Sequence, residues 1–111
     1  MNLNGRKFVM VSSTASAVNP GSPTAFEYWE TDGVVWGSYT GDTVTEGRFV
    51  GTRDGDRVSI SYVHALVAGG TAGGKSSSRI ETGDDGLLRL VEEFTFEGDD
   101  TPHVSVCAEV A

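Results

Sequence analysis

Glycine-bearing turns recur along this chain at short intervals. The runs between them are short and β-like, and no stretch carries a helical pattern. The turns fall at Asp32-Gly33, Gly41-Asp42, Asp54-Gly55, Gly69-Gly70, Asp85-Gly86 and Gly98-Asp99. Asp-Gly between alternating apolar runs is a strong hairpin signal, because a type I′ turn needs positive φ at both central positions. Strands joined only by hairpins make a meander. The expected strands are Lys7–Ser12, Thr24–Glu30, Val34–Thr40, Thr43–Thr52, Arg57–Leu66, Lys75–Thr82, Leu87–Phe96 and His103–Val110. A meander of that size tends to close on itself, which removes exposed edges. Its interior is then either filled by side chains or wide enough for one small ligand. The expected fold is all-β: one domain over residues 1–111, a single antiparallel up-and-down β-barrel of about eight strands. Gly47 and Gly51 inside the fourth strand read as the bends that closure needs.

Two segments read as flexible loops, Thr14–Pro23 and Gly69–Gly74. If both lie at one end of the barrel, they would form a lid over its mouth.

Charge and composition narrow the partners. The net charge is −8 with no basic run, which disfavours nucleic acid and anionic membrane. Cys107 is the only cysteine, so no internal disulfide can form. Phe8-Val9-Met10-Val11 is too short for the core of a signal peptide, so a cytoplasmic protein is the simplest expectation.

Side chains alternate faces along a strand, so parity predicts what points inward. Phe8 with Met10, Phe26 with Tyr28, and Val58, Ile60, Tyr62 and His64 each share an apolar face. Leu88, Leu90, Glu92, Phe94 and Phe96 share another. The third strand is apolar on both faces, and its parity is ambiguous. Ser76 and Ser78 share a face with Ile80. Parity thus sends Tyr28, Tyr39, Tyr62, His64 and Glu92 inside. A buried carboxylate is costly unless it is hydrogen-bonded or paired. Tyrosine hydroxyls and a histidine are suitable donors, so Glu92 with His64 and a tyrosine makes a sensible cluster.

At these residues the chain resembles a family of small uncharacterised bacterial proteins with a lipocalin-like or avidin-like barrel pattern. The resemblance covers nearly the whole chain. It is carried by Gly5-Arg6-Lys7-Phe8, Phe26-Glu27-Tyr28, Tyr39-Thr40-Gly41, Gly47-Arg48-Phe49-Val50-Gly51, Tyr62-Val63-His64, Ser78 to Glu81, and Gly86 to Glu92. The set is moderately specific and each motif alone is weak. The chain departs from the pattern at Phe94 and Phe96, where the family leads one to expect tryptophan, and at Asp42, where glycine is expected. Members of this family often carry the label N-acetylglutamate synthase. Acetyl transfer from coenzyme A calls for a pyrophosphate site, usually a glycine-rich turn opening a helix. These residues provide none, and the label reads as a misannotation.

Each candidate site residue has a functional and a structural reading. Glu92 and His64 could work as acid and base, or could recognise a ligand; equally, they could be a satisfied pair that fixes strand register. Tyr28, Tyr39, Tyr62, Ser78 and Phe94 could line a ligand cavity or simply fill the core. Trp29 and Trp36 fall at outward or ambiguous positions and could cap the barrel, pack between subunits or form a homodimer face. The serines at 12–13, 59, 61 and 76–78 lack a nucleophile-elbow motif. No spacing of His64, His103 and Cys107 matches a zinc pattern, and no metal or other cofactor is expected. Asp54-Gly55-Asp56 and Asp84-Asp85-Gly86 hold fragments of a calcium loop that turn chemistry explains better. Gly69 to Ser76 fits the letters of a phosphate loop, but a strand follows where a helix is required.

The leading expectation is a barrel that binds a small apolar or amphipathic molecule in an interior with a Tyr/His/Glu polar group. The alternatives are a cofactor-independent cyclase, isomerase or lyase using Glu92 and His64, and a fully packed barrel with a structural role.

Overall fold

The structure is a computed structural model and describes residues 2–15 and 21–110. The strands are β1 (Arg6–Ser13), β2 (Ala25–Thr31), β3 (Val34–Gly41), β4 (Val44–Asp54), β5 (Arg57–Leu66), β6 (Thr71–Thr82), β7 (Leu88–Phe96) and β8 (His103–Glu109). Each pairs antiparallel with the next, and β8 returns to β1, closing the barrel. The described residues contain no helix, and so none long and apolar enough to cross a membrane.

Turn chemistry accounts for the tight connections. At Asp32-Gly33 both residues have positive φ, at 50° and 78°, as a type I′ turn requires. Asp54-Gly55 behaves differently. Asp54 pairs with Arg57, so Gly55 and Asp56 form the loop and only Gly55 takes positive φ. Irregularities in register fall between Met10 and Ser12, Tyr39 and Gly41, and Val44 and Glu46. All three lie towards the same end of the barrel, where bulges add the bend that closure demands.

The expected Gly69–Gly74 loop is much shorter in the structure. Only Gly69 and Gly70 have positive φ, and β6 begins at Thr71, pairing Ala72 with His64 and Gly74 with Tyr62. Backbone ladder bonds hold this stretch as strand, overriding its glycine content. Of the expected Thr14–Pro23 loop, residues 16–20 lie outside the described residues. Its two flanks and the Gly69-Gly70 turn belong to one end of the barrel. There Asp42 N–H donates to Ser22 O at 3.0 Å and Val67 N–H donates to Thr43 O at 2.9 Å.

The two ends are built differently. The packed end holds Phe8, Tyr28, Val35, Val58, Ile80, Leu88 and Leu90, all buried. The segment before β1 folds across this end. Leu3 is completely buried, and Gly5 N–H donates to Tyr28 O at 2.8 Å. Beside it, Arg53 grips Glu30 with two charge-assisted bonds, Nε to Oε1 at 2.7 Å and NH2 to Oε2 at 2.8 Å. Leu3 N–H also donates to Glu30 Oε1 at 3.0 Å. The Glu30 side chain is only 3% exposed. Glu30 follows the inward parity of β2, whereas Arg53 lies one residue beyond the expected fourth strand, which β4 extends to Asp54.

Candidate functional site

The other end is hollow. A cavity of about 350 Å³ lies among β1 to β7. That volume is within the range of small-molecule pockets. Its walls are aromatic and aliphatic, with the aromatic rings of Phe26, Tyr39, Phe49, Tyr62, Phe94 and Phe96 among the lining residues. Met10, Val44, Ile60 and Leu66 add aliphatic surface, and Ser13, Thr24, Asp42 and Thr43 add polar groups from the loop end. His64 and Glu92 also reach the cavity.

Two glycines shape the wall between β3 and β4. Gly37 pairs with Phe49, and Gly47 pairs with Tyr39. Each aromatic ring lies over its partner glycine, where a Cβ would collide with ring carbons. The small residue opposite lets each ring lie back against the sheet. In this way Gly47 holds Tyr39 towards His64, and Tyr39 Oη lies 2.8 Å from His64 Nδ1.

The electrostatics follow from burial. The Tyr39 hydroxyl is held well above its ordinary pKa by burial, with the Tyr62 and Glu92 charges adding to the effect. His64 is pushed down by burial. A neutral tyrosine donating to a neutral imidazole satisfies both shifts and places the imidazole proton on Nε2. Tyr62 is also raised by burial, and its hydroxyl donates to Thr95 O at 2.9 Å. Glu92 is raised by burial, partly offset by hydrogen bonding from Ser105 and then Ser76. Ser105 Oγ donates to Glu92 Oε1 at 3.1 Å. Ser76 Oγ is buried and has no partner of good hydrogen-bond geometry, so its help to the carboxylate is through proximity alone.

The sequence-predicted residues separate into three groups. Tyr39, Tyr62, His64, Glu92 and Phe94 come together around the cavity. Tyr28 and Ser78 point inward as parity requires but lie away from the cavity. Tyr28 packs edge-on against Phe8 at 5.3 Å and meets Phe49 at 4.5 Å, within the packed core. Ser78 is fully buried beside Val58. Trp29 and Trp36 are directly paired on the outer wall, 38% and 40% exposed, so they do not cap an end. Glu92 and His64 share the cavity without bonding each other; each is engaged by a different partner, Ser105 and Tyr39. Phe26, Phe49, Met10 and Ile60 also line it. Parity marked all but Phe49 as inward, yet gave no sign of which inward residues faced empty space.

Among the described residues, no three His, Cys, Asp or Glu side chains come together as a metal site. The Gly69–Ser76 letters lie on a turn and on β6, with no helix N-terminus to complete a phosphate cradle.

The model of one protein family, described as avidin-like protein, matches residues 1–110 of this barrel. The chain belongs to the avidin-like family. Its closed up-and-down topology over the matched span is the architecture that the resemblance implied. No curated protein and no solved structure gives a significant match to this avidin-like chain.

One property of the avidin-like site is measurable without any ligand. Glu92 has a folded-state pKa above its unfolded value, so the unfolded state binds fewer protons between those values. Glu92 therefore costs no stability below about pH 4.5, and its cost grows as pH rises through the folded pKa. Glu92→Gln removes that dependence. The difference in melting temperature, variant minus wild type, should grow from pH 4.5 to pH 7.5. A difference that stays flat would mean that the carboxylate is not desolvated.

Proposed function

We propose that the protein binds a small organic molecule in the hollow end of its barrel. The observation that carries this reading is the division of the interior. One end is sealed by Leu3 and the Glu30–Arg53 pair, while the other keeps a largely apolar cavity with a few polar groups. Small-molecule sites have that character. Membership of an avidin-like family supports the same reading.

Binding is favoured over acid–base catalysis. Tyr39 Oη engages His64 Nδ1 and Ser105 Oγ engages Glu92 Oε1, and no hydrogen bond joins the two titratable groups among the described residues. The tyrosine hydroxyls are likewise engaged, one on His64 and the other on Thr95 O.

A neutral apolar dye, N-phenyl-1-naphthylamine, provides the test. It should brighten on binding to the wild-type protein. Ala72→Trp places an indole in the cavity wall and should abolish the signal while leaving the melting temperature within a few degrees. No enhancement with wild type, or full enhancement with the folded Ala72→Trp variant, would remove the cavity as the site.

A further inference from the structure

We propose that the ligand of this cavity is an organic cation, a protonated amine or quaternary ammonium carried on an apolar body. The proposal rests on the small-molecule reading above and names its chemical class.

The argument begins with Glu92. Its side chain is half-buried at the cavity, and Ser105 Oγ donates to its Oε1 at 3.1 Å. Among the described residues, no lysine or arginine lines the cavity. The titratable groups within electrostatic reach of Glu92 are Tyr28, Tyr39, Tyr62 and Cys107. Burial keeps all four protonated and uncharged, so none is a counter-ion. His64, the remaining basic group on the wall, is pushed towards its neutral form. The interior ion pair at the packed end shows how this chain satisfies a buried carboxylate when the partner is its own: Arg53 meets Glu30 with two bonds. Among the described residues, no cationic side chain meets Glu92 in this way. A carboxylate in a low-dielectric site is stabilised most by a hydrogen-bonded opposite charge, and here only a ligand can bring one.

The walls suit the same charge. Phe94 and Phe96 stand 5.6 Å apart at 89°. Tyr62 stands at 75° to Phe94 and 80° to Phe96, with centroids 6.4 Å away in both cases. Three mutually near-perpendicular rings make the corner of a box at the cavity, with the His103 imidazole stacked on Phe94 at 5.4 Å and edge-on to Phe96 at 5.6 Å. Such boxes attract cations through the negative faces of the rings while excluding the water that an ammonium would otherwise keep. Asp42 at the loop end and the net charge of −8 draw cations towards the cavity and repel anions.

The test compares 2-phenylethylamine with its uncharged analogue 2-phenylethanol. Both are titrated calorimetrically into the full-length protein near neutral pH, where the amine is protonated. The amine should bind about tenfold or more tightly than the alcohol. Glu92→Gln keeps the shape of the cavity and should reduce that preference to about twofold, while N-phenyl-1-naphthylamine still binds. Phe94→Leu should weaken the amine more than the alcohol. The proposal is overturned if the alcohol binds as well as the amine, if the amine preference survives Glu92→Gln, or if neither binds although the dye does. If the dye also fails, the small-molecule reading falls with it.

Discussion

Arg53→Met is expected to destabilise the protein by about 3 kcal/mol, enough to lower its melting temperature by roughly 10–15 °C. Arg53 makes two charge-assisted bonds to a Glu30 side chain that water barely reaches. Methionine preserves most of the aliphatic stem and leaves the carboxylate buried without its cation. The penalty is mainly that of the orphaned charge, so Glu30→Gln in the same chain should recover part of it. The pH dependence provides an independent check. In the wild type, Arg53 holds Glu30 below its ordinary pKa. That contribution is fully present above the unfolded carboxyl pKa and is lost as pH falls through the folded one. In Arg53→Met the guanidinium no longer lowers the carboxyl, and burial is opposed only by the Leu3 N–H bond, so the stability gap between wild type and variant should shrink on acidification. Chemical denaturation at pH 7.5 and pH 4.5 measures both effects. A single variant as stable as wild type at pH 7.5 would mean that the pair is surface-like and well solvated.

Phe8→Ala is expected to cost about 3–5 kcal/mol, whereas Phe94→Ala should cost roughly half as much or less. Phe8 is completely buried at the packed end, in edge-to-face contact with Tyr28. Truncation there leaves a new void walled by side chains that closed strands cannot bring together. Phe94 is also buried, but one side of its ring borders space that is already empty. Its removal enlarges an existing cavity and forfeits fewer contacts. The pair of variants therefore reads the two ends of the barrel separately by denaturant midpoint. Equal losses would show that both ends are packed alike, and the cavity reading would fail with them.

The order and pairing of the strands were legible because turn chemistry and alternation are local. Asp32-Gly33 needs only its own backbone to form a type I′ turn, and Val58, Ile60, Tyr62 and His64 share a face for geometric reasons alone. Local signals also misled where tertiary pairing was stronger. Thr71–Gly74 looks like loop in sequence, yet it is held as strand by its partners on β5 and β7. The inward direction of Tyr28, Tyr62, Ser78, His64 and Glu92 could be deduced from parity, whereas the third strand, apolar on both faces, left Tyr39 open. The depth of each along the barrel could not, because depth depends on the stagger between strands that are distant in sequence.

That division separates what the chain alone determined from what only the tertiary structure decided. Glycine turns and a two-residue period were sufficient for an all-β meander, and its antiparallel closure follows from the need to cover edge strands. Which end is packed and which is hollow required the folded molecule. It depends on Leu3 crossing one end, on Arg53 of β4 meeting Glu30 of β2 over the intervening β3, and on rings lying back over Gly37 and Gly47. These are contacts between residues up to 27 positions apart, and no local pattern encodes them. The same holds for the site: Tyr39 meets His64, and Glu92 meets Ser105, because the stagger of closed strands sets those side chains at equal height.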